Sequence, residues 1–547
     1  MKVVSIAALF LLAAAVAAPT LGQTSTVDDA SPTLSPAFGA EGLPRFHPYY
    51  LPEDLPSAHG SGEPTIGIPW NTDHVFFQAF QKTHRAAFDD ADLVDGVAAV
   101  EWADVSPAFT PINVDPMVHA DYQTGRIFAG GLAGPCSLMG ISDDDGMTWT
   151  PAANMCSGPQ FDHQSIGSGP WSATSPDSIA RAAAYPRATY YCAQLALTSC
   201  ATSLDGGRAW LPFTEVTGPC GGLHGHISVS EATGFAAVPH GGCASSESPT
   251  ATGPGNFVGF AYTANNGATW SSRIMPDAAD GEGFDPDIAF SQDSGWLWLA
   301  QADANGIHIA LSKDEGSTWE ALGTNMTTVG AEPATWYNLT ATFTDPKTGH
   351  PLVFGSFPDL EAGDDDRVAL AFMGTTDPAG EEPFDDCSEV SDANVWHYYL
   401  SQSFDGGATW TTSRLWEDPI QVGAIWNNGG GEPCRNLLDF NDMDMDSQGR
   451  LHIALADGCT EECAEAYAAR ANGTGEAPKG EDSRDSWGVV LRQATGQGLF
   501  ARYDVPEGLI SPTPTEGPAP EEAAPGLPVL GLLAAVAAAA VALRRRR

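Results

Sequence analysis

Short apolar or alternating runs, bounded by polar turns that end in glycine, recur along the chain. RIFAG at 126–130, WLWLAQ at 296–301, PLVFG at 351–355 and RLHIALA at 450–456 are examples. They are too short for helices and read as β-strands. The turns that lead into them are Asp121–Gly125, Ser291–Gly295, Asp345–Gly349 and Asp446–Gly449. A second turn repeats more strictly, with the pattern S-x-D-x-G-x-T-W: SDDDGMTW at 142–149, SLDGGRAW at 203–210, TANNGATW at 263–270, SKDEGSTW at 312–319 and SFDGGATW at 403–410. The Asp and Ser/Thr side chains of such a turn accept backbone amides, Gly takes the positive-φ position, and Trp packs between sheets.

The two patterns keep a fixed spacing, 24 residues from Gly125 to Trp149 and again from Gly295 to Trp319. Each unit therefore reads as strand, turn, two strands, boxed turn, strand, which is one four-stranded antiparallel blade. The predicted fold class is all-β, a β-propeller, with blades near 63–109, 113–153, 162–213, 224–272, 285–322, 338–415 and 436–503. Seven blades are favoured, with six as the alternative because the first and last units lack a clear box. The Asp/Glu-rich stretch 361–396 reads as a surface insertion.

The two ends have other signatures. Residues 1–23 read as an export signal, with Lys2 before an apolar run that ends in small residues. Residues 24–62 then form an N-terminal extension, 63–503 the propeller, and 504–526 a Pro/Glu/Thr-rich linker. The tail 527–547 holds an apolar run, Leu527–Leu543, closed by four arginines, and it predicts membrane anchoring. Pro525-Gly526, the apolar run and the basic cluster together resemble the PGF-CTERM archaeal surface-sorting tails, which implies removal of the tail and a lipid in its place. A single-pass anchor is the alternative. Either way the propeller is placed outside the cell.

Charge narrows the partners. Asp and Glu number 69 against 24 Lys and Arg, for a formal net charge of −45. Such a surface repels nucleic acid, so a nucleic-acid partner is excluded and a glycan or surface protein is expected on a monomeric propeller. The ten cysteines suit an oxidising compartment, and spacing suggests Cys136 with Cys156, Cys192 with Cys200, Cys220 with Cys243, Cys459 with Cys463, and Cys387 with Cys434. Asn325, Asn338 and Asn472 stand in N-x-T sequons.

The boxes and the strand pattern over about residues 63–503 resemble the sialidase (neuraminidase) superfamily of Asp-box propellers. The resemblance implies that the boxes face away from the active site. It also implies that the site lies in the loops leading into the innermost strands. Here these are Glu63-Pro64, Asp115-Pro116, Asp162-His163, His224–His226, Asp285-Pro286-Asp287, Glu332-Pro333 and Glu432–Arg435. Acid-Pro pairs in these loops serve as turns or, alternatively, as a ring of carboxylates and imidazoles around a channel.

A glycosidase on this frame takes Asp162 as acid/base and Glu432 or Asp439 as its partner. Arg435, His163, His226, Asp285 and Glu332 then bind substrate. The sialidases' F/Y-R-I-P arginine motif is missing, and no spacing joins Arg181, Arg187 and Arg367 to Arg435 as a clamp. The alternative is a non-catalytic propeller that binds glycan or protein. No cofactor motif occurs. Asp442 and Asp444, in a D-x-D-x-D string with Asp446, leave calcium as an open alternative.

Overall fold

The computed structural model describes residues 24–26, 43–94, 96–109, 114–133, 136–153, 162–194, 197–216, 218, 220–243, 257–275, 286–303, 306–322, 336–341, 343–376, 395–416, 418–423, 437–438, 441–471 and 485–504. Met1–Tyr503 make one compact unit, and Asp504–Arg547 a second that lies beyond Asp504 outside the described residues. The export signal and the sorting tail fall outside the described residues. Among the described residues no helix is long and apolar enough to cross a membrane.

Seven antiparallel sheets follow one another as the blades of a propeller. From the inner strand outward, blade 1 is Thr65–Gly67, Val75–Ala79, Lys82–Val94 and Val97–Asp104, with Thr24–Thr26 added at its outer edge. Blade 2 is Val114–Ala120, Ile127–Ala133, Cys136–Ser142 and Thr150–Pro151. Blade 3 is Asp162–Pro170, Arg187–Gln194, Thr198–Ser203 and Thr214–Glu215. In blade 4 the inner strand is split into Cys220–His224 and Ser228–Val229, followed by Ala236–Cys243, Phe257–Thr263 and Ser271–Ile274. Blade 5 is Asp287–Phe290, Leu297–Asp303, Gly306–Ser312 and Tyr337–Asn338. Blade 6 is Phe354–Ala362, Val368–Thr375, Val395–Ser403 and Thr411–Arg414. Blade 7 is Asp442–Met445, Leu451–Asp457, Trp487–Thr495 and, outermost, Arg45–Tyr50.

Three expectations are corrected here. Arg45–Tyr50 is a propeller strand that pairs with residues 489–495 and closes the ring, not part of an extension before it. Pro48 is tolerated because the strand is an edge, where one neighbour is enough. The acidic stretch from 361 is no insertion at its start, since Phe354–Ala362 and Val368–Thr375 are the two inner strands of blade 6 and Val368–Thr375 is buried throughout. Residues 377–394 lie outside the described residues. The turn Asp345–Gly349 precedes an inner strand instead of following one. There the Asp345 carboxylate accepts from Tyr399 Oη at 2.7 Å and stands 3.4 Å from Arg414 Nη1.

The boxed turns hold neighbouring blades together. In the first, Gly146 N donates to Ser142 Oγ at 2.9 Å and Thr148 N to Asp144 Oδ1 at 2.8 Å. The other four repeat the pair, as with Gly316 N to Ser312 Oγ at 2.7 Å and Thr318 N to Asp314 Oδ1 at 2.7 Å. Gly316 has φ +80, and a Cβ there would stand 2.4 Å from Phe260 Cζ of the preceding blade. Trp149 of blade 2 donates to Val105 O at the end of blade 1, at 2.6 Å, and Trp410 of blade 6 meets Trp298 of blade 5 edge to face. The box is thus an interblade fastener, and the apolar clusters run between sheets accordingly.

Cys192–Cys200 and Cys220–Cys243 join directly opposed residues within blades 3 and 4, and Cys459–Cys463 closes the turn into the helix Glu461–Ala471. Cys136 is also disulfide-bonded. Cys156, Cys387 and Cys434 lie outside the described residues, as do Asn325 and Asn472. Asn338 is 5% exposed, and its Oδ1 accepts from the Thr340 and Ala341 amides, so this sequon is built into a strand end.

Candidate functional site: the central channel

Seven inner strands surround the axis, and most begin with a distortion. Register shifts mark the starts in blades 2, 3, 4 and 6, and Asp115, His163 and Phe357 there have φ of 48, 46 and 52. A bulge bends the strand and re-aims its side chains at the rim. The backbones also approach closely, since a Cβ on Gly225 would stand 1.8 Å from Pro286 O. Only glycine lets blade 4 touch blade 5 there.

Two connected cavities result. The one at the mouth is lined by His163, His224, His226, Asp287, Asp359 and Asn441 among others. The deeper one, about 130 Å³, is shared by His226, Asp287 and Asp359 and reaches His119, Asp442 and Asp444. Its floor holds Tyr122, stacked on Trp70 at 4.7 Å and donating to Asp444 Oδ1 at 3.2 Å.

The strand period of two explains the chemistry on each wall. Asp442 and Asp444 share one side of their strand while Met443 and Met445 enter the core, and Asp359 and Glu361 alternate likewise with Leu360 and Ala362. Imidazoles from blades 2, 3 and 4 therefore oppose carboxyl groups from blades 5, 6 and 7. His226 Nδ1 lies 3.9 Å from Asp442 Oδ1, and His119 Nε2 lies 2.9 Å from Ser168 Oγ.

Several of these side chains also fasten one inner strand to the next. Thr65 Oγ1 accepts from Val118 N at 2.7 Å, Ser165 Oγ from Ile227 N at 2.8 Å and Asp287 Oδ2 from Leu360 N at 2.7 Å. Asp442 Oδ2 and Asp444 Oδ2 accept from Ile66 N and Ile68 N, each at 2.8 Å. Blades 1 and 2, 3 and 4, 5 and 6, and 7 and 1 are joined in this way, which satisfies inner-edge amides that have no sheet partner.

Burial sets the charge of the lining. It pushes the Asp444 carboxyl up to about 7 and those of Asp359, Glu361 and Asp442 well above the usual carboxylate range, with their mutual repulsion adding. It also pulls His226 and His119 down to about 4 and His224 well below its ordinary value. Near neutral pH the wall is accordingly rich in neutral groups that both donate and accept hydrogen bonds.

The predicted residues separate clearly. His163 and His226 line the mouth, and Asp442 and Asp444 line the deeper cavity. Asp162 opens the inner strand of blade 3 in register with Gln194 and is not among the lining side chains. Asp285, Glu332, Glu432, Arg435 and Asp439 lie outside the described residues. Because Tyr337–Asn338 is the outer strand of blade 5, Glu332-Pro333 precedes an outer strand and not the inner strand of blade 6.

The calcium string does not converge. Asp446 is taken by Arg450 at 2.7 Å and His452 at 3.5 Å, and among the described residues no three His, Cys, Asp or Glu are placed to hold a metal ion. Nor do the other arginines reach the channel. Arg181 is exposed beside Asp177, Arg187 is held by Asp121 and Glu231, and Arg367 donates to Gly498 O.

Asp359, Glu361, His119 and Tyr122 are functional candidates that the sequence reading passed over. The signal for one was present, since Pro286-Asp287 and Pro358-Asp359 are the same dipeptide at the same place in successive inner strands.

No known family profile matches the chain, and no curated protein matches it. Solved structures similar to it include the Hadza microbial sialidase Hz136, at 13% identity and TM-score 0.32, with 79% of this chain and 65% of that one covered. YCF48 from Cyanidioschyzon merolae is 12% identical with a TM-score of 0.39, covering 82% of this chain and 98% of its own. A polysaccharide lyase, the PL25 ulvan lyase, is 11% identical with a TM-score of 0.38, covering 80% and 95%. This chain thus spans less than two thirds of the sialidase.

Proposed function

We propose that the protein is an exported, surface-held propeller that binds a neutral, hydroxyl-rich glycan at the mouth of its channel. The observation that carries this reading is the opposition, in one open cleft, of Asp287 and Asp359 to His163 and His226. Sugar hydroxyls both donate and accept, and a wall on which carboxyl groups face imidazoles supplies both partners. Among the described residues no Lys or Arg lines either cavity, and the molecule carries a formal net charge of −45. Both features work against a sialate or sulfate ligand, so the reading departs from sialidase activity while keeping the glycan. The apolar N-terminal run, the disulfides and the Arg-closed apolar tail support export and anchoring at the surface, through a single span or a processed sorting tail.

An array of neutral, sialylated and sulfated oligosaccharides tests the ligand class. The purified protein is expected to retain neutral members at pH 7 and to give no signal on their sialylated or sulfated counterparts. Preference for the charged members removes the proposal.

A further inference from the structure

Asp359 occupies an unusual position. It is 5% exposed, lines both cavities and hydrogen-bonds to Asp287 of the neighbouring blade, while its Oδ2 finds no N–H or O–H donor among the described residues. Asp287 is itself fixed, because its Oδ2 accepts the Leu360 amide. Two carboxyl groups in contact do not both ionise, so the pair holds a proton between them at the edge of an open cleft. The structural duty of closing blade 5 on blade 6 needs only Asp287. It leaves Asp359 unexplained, since a buried acid without a donor costs stability. Across the cleft, His226 stands with Nδ1 at 3.9 Å from Asp442 Oδ1.

We propose that the Asp287–Asp359 pair is an acid catalyst for cleavage of a neutral glycosidic bond, with His226 as the base. The inference rests on the reading of the mouth as a neutral-glycan site. In the step, the Asp359 proton passes to the glycosidic oxygen as the bond from that oxygen to the anomeric carbon breaks. The bonding pair stays with the oxygen, which leaves as an alcohol. Water adds to the anomeric carbon and gives a proton to His226, so one water is consumed and a hemiacetal and an alcohol are formed. The proton returns from His226 to Asp359 through solvent. Asp359 is faced by Asp287 from blade 5, Asp442 from blade 7, Glu361 and Tyr398 from its own blade, and His163, His224 and His226 across the cleft. No cation among these opposes the retained proton.

The test uses the whole exported chain, a panel of neutral 4-methylumbelliferyl glycosides, and neutral polysaccharides assayed for new reducing ends. Binding on the oligosaccharide array is read in parallel. Turnover is expected, with Asp359→Asn lowering kcat by about 10²–10⁴-fold. Asp287→Asn removes the neighbouring like charge, so the alkaline limb of its pH–rate profile is expected to move down by about one pH unit or more. Neutral-glycan binding without turnover overturns the catalytic inference and leaves the binding reading intact, as does turnover that Asp359→Asn does not change. Absence of both binding and turnover overturns the two together.

Discussion

Replacing Arg187 with methionine is expected to destabilise the propeller by about 3–5 kcal/mol without weakening the binding of neutral glycan. Arg187, in blade 3, is 6% exposed. Its Nε donates to Asp121 Oδ2 at 2.6 Å on the turn of blade 2, and its Nη1 to Glu231 Oε2 at 2.9 Å on the turn of blade 4. Arg187 draws the Asp121 carboxyl below its ordinary range, whereas burial holds that of Glu231 above its own in spite of the same guanidinium. Methionine keeps much of the volume but strands Asp121 without its counter-charge, and that uncompensated carboxylate is the source of the loss. Chemical denaturation is the measurement, with a lower midpoint at an unchanged slope as the expected result. A variant as stable as the parent but deficient in ligand binding would place Arg187 in the site instead.

Stability is expected to peak near about pH 6 and to fall on the alkaline side, because two buried populations titrate in opposite directions. Asp359, Glu361, Asp442 and Asp444 have folded-state values raised above those of the unfolded chain, with Asp444 and Asp457 at about 7. Their contribution is full below the unfolded carboxylate range near pH 4 and is lost as pH rises through the folded values. The imidazoles of His84, His119, His226 and His452, at about 4, and of His240, at about 3, are lowered from their ordinary value of 6.5. The unfolded chain protonates them first, so they favour the fold more strongly as pH rises to about 6.5 and then add nothing further.

The two sets offset each other between about pH 4 and 6.5, and above that only the carboxyl groups act. Below pH 4 the lowered carboxylates Asp121, Asp345 and Asp446 lose their partners as they protonate, so stability falls there too. Calorimetry at constant salt is expected to show Tm decreasing from pH 6.5 to 8.5. Asp444→Asn, which keeps an acceptor for Ile68 N, is expected to flatten that decrease. A Tm that is level or rising over this range contradicts the account.

The propeller was legible in the sequence because its determinants are local. The box Ser142–Trp149 hydrogen-bonds within itself, and the turn Asp121–Gly125 does the same, with the Gln123 and Thr124 amides on Asp121. Ring closure was not legible. Arg45–Tyr50 finds its partner at residues 489–495, and nothing between them in the chain marks the pairing. The site was readable only in part for a related reason. His163 and His226 stand at strand starts that turn signals locate, whereas Glu361 opens the stretch 361–396 that composition assigns to a loop and Asp359 stands just before it. Their burial depends on the channel, which exists only once all seven blades are in place. The fastening of Ile66 N by Asp442, across 376 residues, is invisible for the same reason.

The central claim places a neutral ligand between His226 and the acidic wall, and one affinity decides it. Titration calorimetry compares the wild type with His226→Ala, using the neutral oligosaccharide that binds best on the array, at pH 7. The account predicts about a tenfold or greater loss of affinity, since one directional hydrogen bond is removed. An affinity equal to that of the wild type would put the ligand elsewhere and contradict the account.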